Sequence, residues 1–327
     1  MKKKIDELKS KLVGAVQTIF VPFNNKLKID YKSLRKHITY LCSLDFVRCL
    51  YLMPYNGRYS QLSEDEILNL NRFCIKEVKK RNKIIIVSDP IHTSTEIKFK
   101  FCLDAKKYGA DIFSSICREK YYSDKQIYLH YKKLSSAKIP LLVHLMPFLS
   151  GYDGTNMQWK DSTLKKISQI SNIIAIKEDT KNKEYGKKIL KLYKNRFSII
   201  FASRKNLLLD LRSYGLKSYL NGSSVVDAYI DKIFLELFRN DIVAAKKFII
   251  EIDDPFWDKT VKKYGWHRVN KACLEINGVM KRFERLPMIA LNDQEFVELK
   301  KNINVIKKRL RFMKKFYLNI DFTTNEK

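Results

Sequence analysis

Short apolar runs alternate with longer amphipathic stretches along most of the 327-residue chain. Runs at 14–23, 49–53, 83–87, 111–116, 140–145, 173–176, 197–202 and 218–222 are rich in branched and aromatic residues and read as strands. Each is followed by a helical pattern with its own start signal. Asp30 caps a pattern to about 44, Ser63-Glu64-Asp65-Glu66 is a capping box opening a helix to 80, and Thr93-Ser94-Thr95-Glu96 reads as another that ends near Tyr108-Gly109. Ser123-Asp124-Lys125-Gln126 opens the next, and further helical patterns occupy 163–170, 185–193, 206–214 and 226–238. Eight strand–helix units in alternation are what an α/β (β/α)8 TIM barrel requires. From Asp241 onward the chain is helical and poor in strands, with Asn292-Asp293-Gln294-Glu295 capping a last long helix. The expected organisation is a barrel over 1–238 and a C-terminal helical appendage over 239–327, packed on it.

A parallel strand covered on both faces is apolar along its length, so a charged residue at its carboxyl end lies where barrels place their chemistry. Ile173-Ile174-Ala175-Ile176 runs straight into Lys177, followed by Glu178-Asp179-Thr180. An amine held against an apolar core is partly desolvated, which lowers its pKa and lets it attack a ketone to form a Schiff base. Strand five ends at His144, and strands five and six are neighbours in a barrel, so an acid or base is expected beside that amine. The same mouth should receive 54–58 after strand two, 118–122 after strand four and 221–224 after strand eight.

Composition narrows the function classes. The net charge is +29, from 64 Lys and Arg against 35 Asp and Glu. The lysines are dispersed over nearly every helical pattern together with abundant Ile, Asn and Tyr. That dispersion argues against a nucleic-acid partner and for a compositional bias, although 307–315 is densely basic. The six cysteines form no C-x-x-C pair and sit mostly in apolar segments, which points to a reducing, cytoplasmic setting and no zinc site. The longest apolar run, 139–149, contains His144 and two prolines and is too short for a bilayer span, so no membrane role is expected.

In order and spacing the chain resembles the dihydrodipicolinate synthase and N-acetylneuraminate lyase family of Schiff-base aldolases, over about 14–299. The resemblance rests on Val21-Pro22-Phe23, Asn56-Gly57 with Leu62-Ser63-Glu64-Asp65-Glu66, Tyr108-Gly109-Ala110-Asp111, Pro140-Leu141-Leu142-Val143, Ile174-Ala175-Ile176-Lys177-Glu178-Asp179 and Leu286-Pro287. It implies that Lys177 forms a Schiff base with pyruvate or another 2-oxo acid, with an aldehyde as second substrate. The protonated imine is itself the electron sink, so neither metal nor cofactor is needed. It also implies a homo-dimer or homo-tetramer.

The departures mark a divergent member. The family's strand-five tyrosine is His144 here, which becomes the expected general acid or base. Its Gly-Thr-Thr-Gly-Glu turn is Pro54-Tyr55-Asn56-Gly57-Arg58, so Tyr55 and Asn56 are expected to orient the carboxylate. The family's substrate-gripping arginine falls at Leu149, leaving Arg58 and Arg118 as substitutes, with Tyr121 and Asn221 as further substrate contacts. The leading expectation is therefore a Schiff-base aldolase or lyase. Dihydrodipicolinate synthase proper and a non-catalytic barrel serving as a binding or scaffold protein are the alternatives.

Overall fold

The computed structural model describes residues 2–117, 123–146 and 158–318. The chain divides into two compact units: 1–19, 38–203 and 210–220 form the first, and 20–37, 204–209 and 221–327 the second.

The first unit holds a closed barrel of eight parallel strands in sequential order. They are β1 (Gly14–Thr18), β2 (Cys49–Tyr51), β3 (Ile84–Ser88), β4 (Ile112–Ser115), β5 (Leu141–Leu145), β6 (Ile173–Glu178), β7 (Ser198–Phe201) and β8 (Ser218–Leu220). The helices between them are α2 (Tyr31–Ser43), α3 (Glu64–Lys79), α4 (Thr95–Lys107), α5 (Asp124–Ser135), α6 (Asp161–Ser168), α7 (Lys183–Tyr193) and α8 (Lys205–Leu211), and α9 (Tyr229–Asn240) follows β8. The (β/α)8 expectation is met. β3 is Ile-Ile-Ile-Val-Ser, buried at all five positions, because a strand inside a barrel faces side chains within and helices outside.

Several boundaries shift for local reasons. β1 stops at Thr18 rather than running to 23, because Pro22 has no N–H to give a ladder and Phe23 instead bridges antiparallel to Ile29. The cap of α4 is Ser94, not Thr93: its extended backbone lets the hydroxyl accept from the Ile97 amide. The pattern at 206–214 divides into α8 and a 3-10 turn, Arg212–Tyr214, which Gly215 ends at φ 93°. The expected capping box at Ser63 is formed, and Ser123, expected only to open α5, forms one as well with Gln126.

One element was not expected, the helix α1 (Lys2–Lys11). Leu8 of α1 and Leu12 just after it join the core cluster of Val16, Cys49, Ile84 and Ile174, and Lys9 Nζ donates to the Arg196 carbonyl at 3.0 Å, just ahead of β7. These contacts put α1 over the end of the barrel where the strands begin. The carboxyl ends are left for chemistry.

In the second unit, Asp241 caps a long irregular helical stretch that includes two π-helical segments, Ile249–Asp253 and Trp257–Val261. The helix Asp293–Leu318 follows, with Asn292 and Glu295 bonding reciprocally at its start. Buried Lys205 lies 3.4 Å from Asp231 and 3.6 Å from Asp253, so its charge is met twice. No helix among the described residues is long and apolar enough to cross a membrane.

Candidate active site

The site is set by a bulge. Leu141 pairs with Ile173 but Leu142 pairs with Ala175, so Ile174 is an extra residue that shifts β6 by one against β5. In a strand, a one-residue shift exchanges the two faces. From there Ala175 aligns with Leu142, and Lys177 aligns with His144. Leu142 and Ala175 belong to the core cluster, so residues two further along share the interior face.

The expected pair is brought together. Lys177 and His144 are 0% and 1% exposed, and Lys177 Nζ lies 2.7 Å from His144 Nε2. Sequence reasoning missed the third member, Asp179, whose Oδ2 is 2.5 Å from Lys177 Nζ and 3.6 Å from His144 Nε2. The first distance is a charge-assisted hydrogen bond and the second is too long for one. Asp179 Oδ1 is 2.5 Å from Nζ of Lys181, which also donates to the Ala202 carbonyl. The alternation Ala175, Lys177, Asp179 was the signal that could have found it.

Burial and charge set the protonation states. Burial lowers the Lys177 amine to about 8; Asp179 opposes that shift and Lys181 adds to it. His144 is lowered to about 3, chiefly by burial and then by the positive charge of Lys177, so its ring is neutral. Burial alone would raise Asp179, but Lys177, Lys181 and His144 outweigh it and hold the carboxyl well below its usual range. Near neutral pH the cluster is an ammonium held between a carboxylate and a neutral imidazole. An ammonium donating to Nε2 requires the imidazole proton on Nδ1.

Tyr51, also missed, underlies this cluster. It shares the inward parity of Cys49 and Met53, packs its ring edge-on to His144 with centroids 6.5 Å apart, and meets Ser114 Oγ at 2.5 Å through its hydroxyl. Burial pushes its phenol up, out of the range in which it would ionise.

The turn after β2 is tied down independently. Tyr59 donates to Asn71 Oδ1 at 2.5 Å, and Asn71 donates onward to the Ser88 carbonyl at the end of β3. Within the turn Gly57 N donates to Met53 O at 2.7 Å, and a Cβ on Gly57 would stand 2.8 Å from that same carbonyl oxygen. Asn56 is fully buried and Tyr55 half-buried, packed on the barrel core cluster. Arg58 adopts the left-handed conformation (φ 60°), is 2% exposed, and donates from Nη1 to the Tyr55 carbonyl at 3.1 Å. Its guanidinium thus folds back on its own turn. Asn221 is buried and directly follows β8 as the first residue of its segment of the second unit. Tyr121, Arg118 and Leu149 lie outside the described residues.

Comparison with known proteins agrees with this architecture. The model of the dihydrodipicolinate synthetase family matches residues 11–306. The 4-hydroxy-tetrahydrodipicolinate synthase of Psychrobacter arcticus is 24% identical over 305 residues, 90% of this chain and 95% of that protein. The enzyme of the same name from Archaeoglobus fulgidus is 22% identical, over 88% and 96% of the two chains. Among solved structures, dihydrodipicolinate synthase from Oceanobacillus iheyensis superposes with a TM-score of 0.80 at 15% identity, covering 93% of this chain and 99% of the other. N-acetylneuraminate lyase from Fusobacterium nucleatum gives 0.79 at 18% identity, over 90% and 98%. With a family model spanning nearly the whole chain and relatives this distant in identity, the chain belongs to the dihydrodipicolinate synthetase family of class I lyases, as a divergent member.

Proposed function

We propose that Lys177 is the Schiff-base nucleophile of this lyase, that His144 moves its protons, and that the substrate is pyruvate or another 2-oxo acid. The observation that carries the reading is a fully buried lysine nitrogen 2.7 Å from a neutral imidazole at the carboxyl end of a (β/α)8 barrel. The ammonium gives a proton to His144 Nε2, the free amine attacks the ketone carbon, and a second nitrogen proton moves to the carbonyl oxygen to form the carbinolamine. The imidazolium so formed lies 3.6 Å from the Asp179 carboxylate, which compensates for an imidazole that is otherwise a weak base in this site. His144 then returns the proton to the departing hydroxide, and water leaves with the iminium formed. Loss of a proton from the adjacent carbon gives the enamine that attacks an aldehyde, and the reverse sequence cleaves the bond.

Tyr55 and Asn56 take the place of the hydroxyls expected to hold the substrate carboxylate, on a turn fixed through Tyr59 and Asn71. Arg58, Tyr121 and Asn221 are proposed as further substrate contacts. The relatives' name favours dihydrodipicolinate synthase proper as the second reading, and His144 and Leu149 stand against it where the family carries tyrosine and arginine. A homo-dimer or homo-tetramer in the cytoplasm is the proposed working form, in keeping with six free thiols.

Proton exchange tests the reading. In deuterated buffer the protein should exchange the methyl protons of pyruvate or of a related 2-oxo acid, followed by NMR, and Lys177→Met should abolish the exchange. No exchange with any 2-oxo acid by the folded protein would leave a barrel that binds without turning over.

A further inference from the structure

We propose that Asp179 is the fixed counter-ion of the Schiff-base nitrogen: its Oδ2 stays on the Lys177 nitrogen from ammonium to iminium, while Lys181 holds its Oδ1. This rests on Lys177 as Schiff-base former and adds a catalytic residue to it.

The geometry comes first. Oδ2 is 2.5 Å from Lys177 Nζ, Oδ1 is 2.5 Å from Lys181 Nζ, and the carboxylate side chain is 6% exposed, so water does not screen the pair. Overall, an ammonium and a ketone become a protonated imine and water. The nitrogen–carbon bond forms, the carbonyl oxygen leaves with two of the three ammonium protons, and one proton stays on nitrogen. Nitrogen carries one positive charge at both ends, so an anion placed for the first state also serves the last. The charge in between passes to His144, 3.6 Å from the same Oδ2.

The groups that face this nitrogen are few. Asp179, Glu178 and Lys181 come from its own segment, His144 from β5, and Tyr51 from β2 stands against His144. Glu178, buried and raised to about 7, accepts from the Thr180 amide. Asp179 raises the Lys177 pKa and Lys181 lowers it, so removing each should move the amine in opposite directions.

The experiment is reductive trapping of pyruvate on Lys177 with cyanoborohydride, followed by intact mass against pH, in the full-length protein and in Asp179→Asn and Lys181→Met. The parent should show a midpoint near 8. Asp179→Asn should move the midpoint acid by at least about one unit and reduce the alkaline plateau roughly tenfold, because the iminium has lost its anion. Lys181→Met, at a side chain 43% exposed, should move the midpoint alkaline. A midpoint unchanged in both variants, or moved the same way in both, overturns the counter-ion role, as does a lower yield with no shift. No adduct on the parent at any pH overturns the Schiff-base reading itself, and the counter-ion with it.

Discussion

Lys177 should leave a signature in the stability of the protein that needs no substrate. Its amine is 0% exposed and lowered to about 8, whereas in the unfolded chain it returns to the ordinary lysine value near 10.4. Between those values the unfolded state binds the proton and the folded state does not, so the contribution of Lys177 to stability rises as pH rises. Below 8 both states are protonated and the full cost of a charged, buried amine is present. Worked through the linkage relation, that cost is about 3 kcal/mol at pH 7 and about 1 kcal/mol at pH 10, a change of roughly 2.5 kcal/mol. Replacing Lys177 with methionine removes the titration while filling most of the same volume. Asp179 stays ionised across this range and keeps Lys181 as its partner, so it adds no proton linkage of its own. Urea unfolding of the parent and Lys177→Met at pH 7, 8, 9 and 10 gives the difference in stability at each pH, in which titrations remote from Lys177 cancel. Methionine should gain on the parent by roughly 2.5 kcal/mol more at pH 7 than at pH 10. A pH-independent difference would mean an ordinary lysine, and would refute the claim that this fold prepares a nucleophile.

The remaining predictions concern the neighbours. His144→Gln keeps a hydrogen-bonding side chain but cannot carry a proton, so pyruvate methyl exchange should fall by about 10²–10⁴-fold while the folded protein persists; unchanged exchange would remove His144 from the chemistry. Because the imidazole is lowered to about 3, the pH–rate profile should show no break near the ordinary histidine value, only the acid limb set by Lys177; a distinct inflection near 6.5 would contradict the assigned neutral state. Gly57→Ala puts a Cβ 2.7 Å from Tyr59 Cε1 and 2.8 Å from Met53 O, which forces the turn bearing Tyr55 and Asn56 to move. KM for the 2-oxo acid should rise with little change in trapping at saturation, and an unaltered KM would remove this turn from the binding site.

Much of the barrel was legible because its parallel strands are buried on both faces and read as apolar runs, and because caps such as Ser63 and Ser123 mark helix starts with local chemistry. Strand ends were less so: 19–23 is as apolar as a strand, but its bonding to β2 ends with Ile19 N to Tyr51 O, and Phe23 bridges to Ile29 instead. α1 escaped notice because its charge density masks the apolar pair Ile5 and Leu8. At the site, Lys177 and His144 were readable from strand order, since register depends on neighbours. Tyr51 was not, because it acts through a contact across the strands that depends on which face it takes, and Asp179 was reachable only by carrying the alternation of Ala175 and Lys177 past the end of the strand. For β6 that face is set by the bulge at Ile174, and the periodicity of its apolar run does not reveal it.

The most direct test is borohydride reduction of the protein with pyruvate and a small panel of other 2-oxo acids, followed by peptide mass spectrometry. A covalent adduct on the peptide carrying Lys177, and on no other lysine, is the predicted result. A folded protein that gives no adduct with any acid, or adducts scattered over its surface lysines, would contradict the assignment of Lys177 as the Schiff-base nucleophile.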